Sequence, residues 1–323
     1  MRLPSHITRS CSSMVTSRCV CVLIDCTGVC ADSTRDTFNL LSSGQDYPEL
    51  MQAHRDNRNY VKWNLENMVQ MLGNSFPTKH ILVVRPSRIE YKSFSCYDNF
   101  VPSNNAGVPE HTPTHGALLH LERPYIHLFH AGIEPATRSA AAEHSTTAST
   151  VSCSDADPLW WRDKFALDES QLTLVGFSKG CVVLNQLIYE FHYVKTLTPG
   201  DAHMMRFMSR IADMYWLDGG HAGGKNTWIT SRSLLETLTR LNVNVFVHVS
   251  PYQVQDETRP WIGREEKAFT GLLKKLGAKV NRYLHDQPGM AHSLHMHFEV
   301  LANFKSMQDC IPAGMPDSSD EDA

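Results

Sequence analysis

Residues 172–186, LTLVGFSKGCVVLNQ, constrain the fold more than any other stretch of the chain. An apolar run of strand length leads into Gly176-Phe177-Ser178-Lys179-Gly180, and a helical period begins at once. A chain that turns from strand to helix this abruptly must hold the residue at the turn in a strained backbone conformation. Glycines two residues to either side remove side chains where helix and strand come close. The result is a serine hydroxyl raised above the end of a strand, at a helix N-terminus. The bland alternative is a serine that only N-caps the helix.

The pentapeptide is a G-x-S-x-G sequence, the nucleophile elbow of α/β-hydrolases when strand and helix flank it. In that role Ser178 is the nucleophile, and the backbone N–H of Lys179 faces the developing oxyanion. The motif is common by chance, so its surroundings matter. Upstream, YVKWNLENMVQML from Tyr60 reads as a helix with Val61, Leu65, Met68 and Leu72 on one face, and HILVVRPS (80–87) as a buried strand. Downstream of the elbow, KGCVVLNQLIYEF predicts a helix with Leu184, Leu187, Ile188 and Phe191 inward. A short strand at Met214–Leu217, a helix in SRSLLETLTRL, a strand in NVNVFVHVSP, a helix in EEKAFTGLLKKLG closed by Gly277, a strand in AKVNRYLH and a last helix in FEVLANF follow. Strands alternating with helices imply an α/β fold, a mostly parallel sheet with helices on both faces.

The rest of the chain is less regular. Residues 1–44 contain no convincing core strand; set against the family resemblance given below, this implies that the first strand or strands are degraded or missing. The first 24 residues carry Arg2, Arg9, Arg18, five Ser and no acid, the make-up of an organelle transit peptide. The alternative is a secretory signal with CVCVLI as its apolar core. Residues 122–157 are rich in Ala, Ser and Thr without a period, and read as a disordered insertion, even as foreign sequence. The domain therefore spans 45–305, and 306–323 form an acidic tail. The net charge of −4 gives no basic stripe for nucleic acid. No apolar run reaches the roughly 20 residues a membrane span needs. The nine cysteines fit neither a disulfide scaffold nor a paired zinc pattern.

A serine nucleophile needs a base, and the base needs an acid to orient it. Chain order in this fold is Ser, acid, His. Two carboxylates end on suitable loops. Asp256, after the second strand beyond the elbow, is the first choice, and Asp218, at the end of MYWLD, is the alternative; either could be a solvated or capping Asp. For the base, LHDQPGMAHSLHMHF offers His285, His292, His295 and His297, and four His so close together also raise a metal site. No carboxylate or Cys lies beside them at helical ligand spacing, so no metal is expected. Gly219–Lys225 approaches a phosphate loop, G-x-x-x-x-G-K, but Asn226 stands where Ser or Thr must ligate magnesium. It reads better as a flexible glycine-rich loop beside the cleft.

The segments KSFSCYDNFV, GFSKGCVVLNQL, MYWLDGGHAGGKNTW and SPYQVQDETRPWIGREEKAF resemble a metazoan family of esterase-like α/β-hydrolases, long known only as an uncharacterised open reading frame on human chromosome 2. The resemblance covers roughly residues 45–121 and 168–304. It implies an α/β-hydrolase fold, a mitochondrial matrix location and a serine hydrolase role with Ser178 as nucleophile. The family's closing His-Phe pair corresponds to His297-Phe298, which selects His297 from the four candidates. It leaves Asp218 and Asp256 open. Family members carry a strand and a Pro-Gly-Asp loop that supply the second oxyanion donor. Here TRDTFNLLSSGQDY stands in that place, with only Gly44 retained. Residues 122–157 match nothing in the family.

The sequence thus predicts a serine hydrolase cleaving an ester, thioester or amide of unknown acyl group, with Ser178, His297 and Asp256 or Asp218 as catalytic residues. Lys179 and Gly44 would serve the oxyanion, and no metal or organic cofactor is implied. The competing expectation is a hydrolase-shaped mitochondrial protein that binds a protein partner without turnover, since fold does not dictate activity.

Overall fold

The computed structural model describes residues 18–24, 47–122 apart from 54, 56, 78, 85 and 91–93, 128–129, 171–286 apart from 222, and 289 and 292–309. Nine strands are described: β1 Arg18–Ile24, β2 His80–Val84, β3 Arg88–Glu90, β4 Phe94–Cys96, β5 Leu128–Phe129, β6 Gln171–Phe177, β7 Ile211–Leu217, β8 Asn244–Val249 and β9 Val280–Leu284. Seven form one sheet in the order β5-β2-β1-β6-β7-β8-β9, and β3-β4 form a small antiparallel pair. Within the large sheet all neighbours run parallel except β5, which pairs antiparallel with β2. The architecture is α/β, as the strand–helix alternation predicts.

Each strand end is set by local chemistry, and period two divides the sheet between two cores. Leu174, Met214, Trp216, Val245 and Val247 face one side. There they meet helix α4 (Cys181–Leu197), α6 (Arg232–Arg240) and α8 (Pro260–Lys275). Val175, Phe177, Tyr215 and Leu217 face the other. Against them pack α2 (Leu65–Ser75) and α9 (Leu294–Asp309) through Met68, Leu72, Phe298, Leu301 and Phe304. Helices α1 (Pro48–Ala53), α3 (Ala117–Glu122), α5 (Ala202–Ser209) and α7 (Pro251–Val254) are short. Leu184, Leu187, Ile188 and Phe191 are fully buried, as their helical spacing predicts.

Helix starts differ from the expected ones where a cap intervenes. The helix expected from Tyr60 begins at Leu65 instead, because Asn64 caps it by accepting from Asn67 N (2.9 Å). Residues Asn57–Trp63 before it form a 3-10 turn, interrupted at Tyr60. The last helix starts earlier than FEVLANF, at Leu294, which brings His297 into its first turns. Gly277 ends α8 at a φ of +80°, the left-handed closing residue expected there.

The N-terminal reading is corrected. Arg18–Ile24 is a strand in the middle of the sheet, in register with β2 from Cys19↔His80 to Leu23↔Val84 and with β6 from Arg18↔Gln171 to Ile24↔Phe177. A strand from the first 44 residues therefore lies within the sheet, while residues 25–46, with most of the TRDTFNLLSSGQDY stretch, lie outside the described residues. The physical reason is that a strand paired on both sides in a parallel sheet is a short, near-continuous apolar run. CVCVLI is such a run, and an apolar signal core looks the same at that length. Residues 1–17 lie outside the described residues. So do 123–127 and 130–157 of the expected insertion, whose described part contributes the two-residue strand β5. At the other end α9 continues past 306 to Asp309.

The segment between β4 and α3 is tied to α4. Glu190 accepts from the N–H groups of Gly116, Ala117 and Leu118 at 2.8–2.9 Å, and Gln186 Oε1 accepts from Thr112 N (3.0 Å). Ser103 and Pro109 form an isolated bridge that closes the turn around Gly107.

Candidate functional site

Phe177 leaves β6 in extended conformation, and Ser178 follows with a φ of +52°. This is the strained left-handed backbone that the strand–helix reversal requires. Ser178–Gly180 make one 3-10 turn and α4 starts at Cys181. Gly176 is glycine for a reason of space: a Cβ there would lie 2.9 Å from Leu184 Cδ1 and 3.0 Å from backbone atoms of Cys181. Gly180 is in ordinary helical conformation (φ −59°), so its backbone angle does not demand glycine.

On the neighbouring strand the same thing happens. Phe177 and Leu217 are register partners, so Ser178 and Asp218 are the residues that follow the paired ends of β6 and β7. Asp218 also has positive φ, +49°. Its side chain is wholly buried (0% exposed) and fully occupied. Oδ2 accepts from His297 Nδ1 (2.7 Å) and Ser250 Oγ (2.6 Å), and Oδ1 accepts from Ser250 N (2.7 Å). The carboxylate thus fixes the proton of His297 on Nδ1 and leaves the Nε2 lone pair for other work. The imidazole stacks on Phe177 with ring centres 4.5 Å apart, and Tyr252 lies 5.8 Å away, centre to centre. His297 therefore stands beside the residue that precedes Ser178.

The acid that meets the imidazole is Asp218, and the first choice of Asp256 for that partnership is corrected. Asp256 Oδ1 accepts from Thr258 N and Oγ1, and Oδ2 accepts from Arg259 Nε at 2.6 Å. Among the described hydrogen bonds its carboxylate is engaged by its own turn and by a cation three residues on, and none joins it to His297. Those bonds hold its pKa below the usual carboxylate value even though its partial burial acts the other way.

The other three histidines go elsewhere. His285 Nε2 bonds His248 Nδ1 (2.9 Å), His295 meets Trp63 edge-on and lies 3.5 Å from Glu299, and His292 is exposed. Burial pushes His285 down to about 4, against the pull of Asp218, and pushes His248 well below its ordinary value. Lys179 presents its backbone N–H at the turn while its side chain runs inward, with Nζ donating to Gly107 O. Gly44 lies outside the described residues.

Gly219, Gly220 and Gly223 of the glycine-rich loop are packed, whereas Gly224 and Lys225 are exposed. A Cβ on Gly220 would meet Gln253 at 2.8 Å, and one on Gly223 would meet His221 and Val108 at 2.8 Å. The loop's end is gathered by Glu265, which accepts from Asn226 N, Thr227 N and Trp228 N at 2.7–3.2 Å. His221 accepts from Gly223 N through Nδ1 and its Nε2 meets Asn226 O (3.2 Å); burial drives it down to about 3. Among the described residues no helix begins between β7 and Arg232, so the loop does not lead into the helix N-terminus that a phosphate loop needs.

Ser250 was missed by the sequence reasoning. The available signal was its position just past the end of the strand next to β7, at the same sheet edge as Asp218.

Fold and site together define an α/β protein that carries a strained serine and a buried aspartate–histidine pair at the C-terminal edge of a parallel sheet. The chain belongs to the C2orf69 family, whose family model matches residues 43–158 and 130–279. Both matched spans run through the Ala/Ser/Thr-rich stretch, which corrects the expectation that residues 122–157 match nothing in the family. The chain is similar to the mitochondrial protein C2orf69 homolog of Mus musculus, 38% identical over 275 residues, 78% of this chain and 74% of that protein. The Homo sapiens mitochondrial protein C2orf69 is 36% identical over 277 residues (79% and 70%), and the Danio rerio homolog 37% over 262 (80% and 70%). The protein is mitochondrial, as its relatives are. No solved structure matches the chain.

Proposed function

We propose that this protein is a serine hydrolase of the α/β-hydrolase type, acting on an ester, thioester or amide in the mitochondrial matrix. The observation that carries the reading is the buried Asp218–His297 hydrogen bond of 2.7 Å beside a serine held at positive φ. Ser178 Oγ attacks the acyl carbon and passes its proton to His297 Nε2. Asp218 stabilises the imidazolium from the Nδ1 side. The Lys179 N–H stabilises the oxyanion, a type of contact whose loss costs about a hundred- to a thousandfold in turnover. His297 then protonates the leaving group, and water, deprotonated by the same ring, releases the acid and regenerates Ser178. No step calls for a metal or an organic cofactor.

Treating folded protein with a fluorophosphonate probe tests the reading. The expected product is a single adduct on Ser178, absent from Ser178→Ala; no adduct in the folded wild type sinks the proposal. One observation favours a second reading, a hydrolase-shaped binding protein without turnover: Ser178 is only 3% exposed. Its mark is partner capture that survives Ser178→Ala, with no hydrolysis of acyl substrates.

A further inference from the structure

We propose that Ser250 is a positioning residue, clamping both oxygens of Asp218 so that one stays aimed at Nδ1 of His297. The catalytic part of this inference rests on the hydrolase reading above; the clamp does not. A carboxylate fully removed from water needs its lone pairs matched by donors. Among the described residues the Asp218 carboxylate accepts three hydrogen bonds, and two of them come from the backbone N–H and the hydroxyl of Ser250.

Ser250 is well suited to hold still. It lies before Pro251, which confines it to extended backbone, and its angles are φ −114° and ψ 155°. Its main chain is anchored by accepting from Gln253 N and Val254 N (both 3.1 Å). Asp218 itself is pinned by its N–H, which donates to His248 O (2.7 Å). With backbone and donors fixed on both sides, the carboxylate cannot rotate without stranding a buried donor.

The other titratable groups around the pair come from several elements. His285 follows β9 and bonds His248 of β8, Lys305 of α9 acts on His248, and Tyr252 of α7 faces the His297 ring. None of them donates to Asp218 among the described hydrogen bonds. Ser250 is thus the residue placed to decide where the Asp218 oxygens point.

The test uses the full chain with Ser250→Ala. Two quantities are read: the low-field proton resonance of His297 Nδ1–H, assigned by its loss in His297→Gln, and the rate of fluorophosphonate labelling at Ser178. The resonance is expected to move upfield and broaden. Labelling is expected to slow roughly tenfold, the size of one buried hydrogen bond to a charged group. Should the alanine variant fail to fold, Ser250→Cys keeps the shape but offers only a weak donor, and the same changes are expected. A resonance unchanged in the folded variant overturns the clamp. A moved resonance with wild-type labelling overturns the positioning role. Absence of any Ser178 adduct in the wild type defeats the hydrolase reading instead, and the resonance still decides the clamp.

Discussion

At the scale of single residues, one strained turn and one buried carboxylate shape this edge of the sheet. GFSKG announces a steric problem with one common solution, and Ser178 takes it with a φ of +52°. Asp218 and Asp256 both end on loops at the same edge of the sheet, and sequence carries no sign of which way a carboxylate turns. What separates them is local: Asp256 spends its oxygens on Thr258 and Arg259, whereas Asp218 is held by Ser250 and His297. His297 was identified by resemblance, not by spacing, because four histidines in a short stretch are equivalent until α9 is placed. Exchanging each acid for its amide separates their roles. Asp218→Asn is expected to cut Ser178 labelling by about three to four orders of magnitude, since an amide cannot hold the imidazole in the working tautomer. Asp256→Asn is expected to leave labelling at the wild-type rate. Equal losses in both, measured side by side, would remove Asp218 from the mechanism.

At the scale of elements, periodicity located the helices and capping chemistry moved their ends. Leu65, Met68 and Leu72 are buried in α2 as their spacing predicts, whereas Val61 lies in the 3-10 segment before it and Asn64 sets the helix start. β1 was hidden for a different reason: seven residues are too few for a period to distinguish a buried strand from a leader's apolar core. The contact between α7 and α8 depends on one glycine. A Cβ on Gly263 would sit 2.2 Å from Val254 O, a backbone atom that cannot turn aside. Gly263→Ala is therefore expected to destabilise the protein by about 1–3 kcal/mol, the usual range for overpacking. Urea unfolding of the two proteins reads this directly, and equal midpoints would mean that α7 gives way freely. Because α7 follows Ser250, the same variant is also expected to slow Ser178 labelling.

At the scale of the whole molecule, the alternation of strand and helix was enough to predict the α/β architecture. The order of the strands was not readable, because nothing in residues 18–24 says that they lie between strands that begin at 80 and 171. The buried His221 and His285 and the half-buried His111 give the molecule a shared response to acid. Burial lowers His111 to about 4, His221 to about 3 and His285 to about 4, from an ordinary value of 6.5. Between those values the unfolded chain binds more protons than the folded one. Stability is therefore complete above about pH 6.5 and declines as pH falls toward the folded values. The slope is at most ~1.4 kcal/mol per pH unit for each imidazole. Urea midpoints at about pH 8 and about pH 5 should differ clearly, with the lower at acid pH. Indistinguishable midpoints would place these rings in contact with water.

Two neighbouring strands end in residues that would be more comfortable as glycine, and neither is glycine. Left-handed backbone of this kind costs about 1–3 kcal/mol per residue, a standing handicap for a protein of marginal stability. A lineage relieved of the need for a hydroxyl at position 178 would drift toward glycine there, whereas one that lost the carboxylate at 218 would also have to repair the buried donors of Ser250 and His297 left behind. The persistence or erosion of Ser178 and Asp218 across descendants is thus a fossil record of whether this edge of the sheet is still in use.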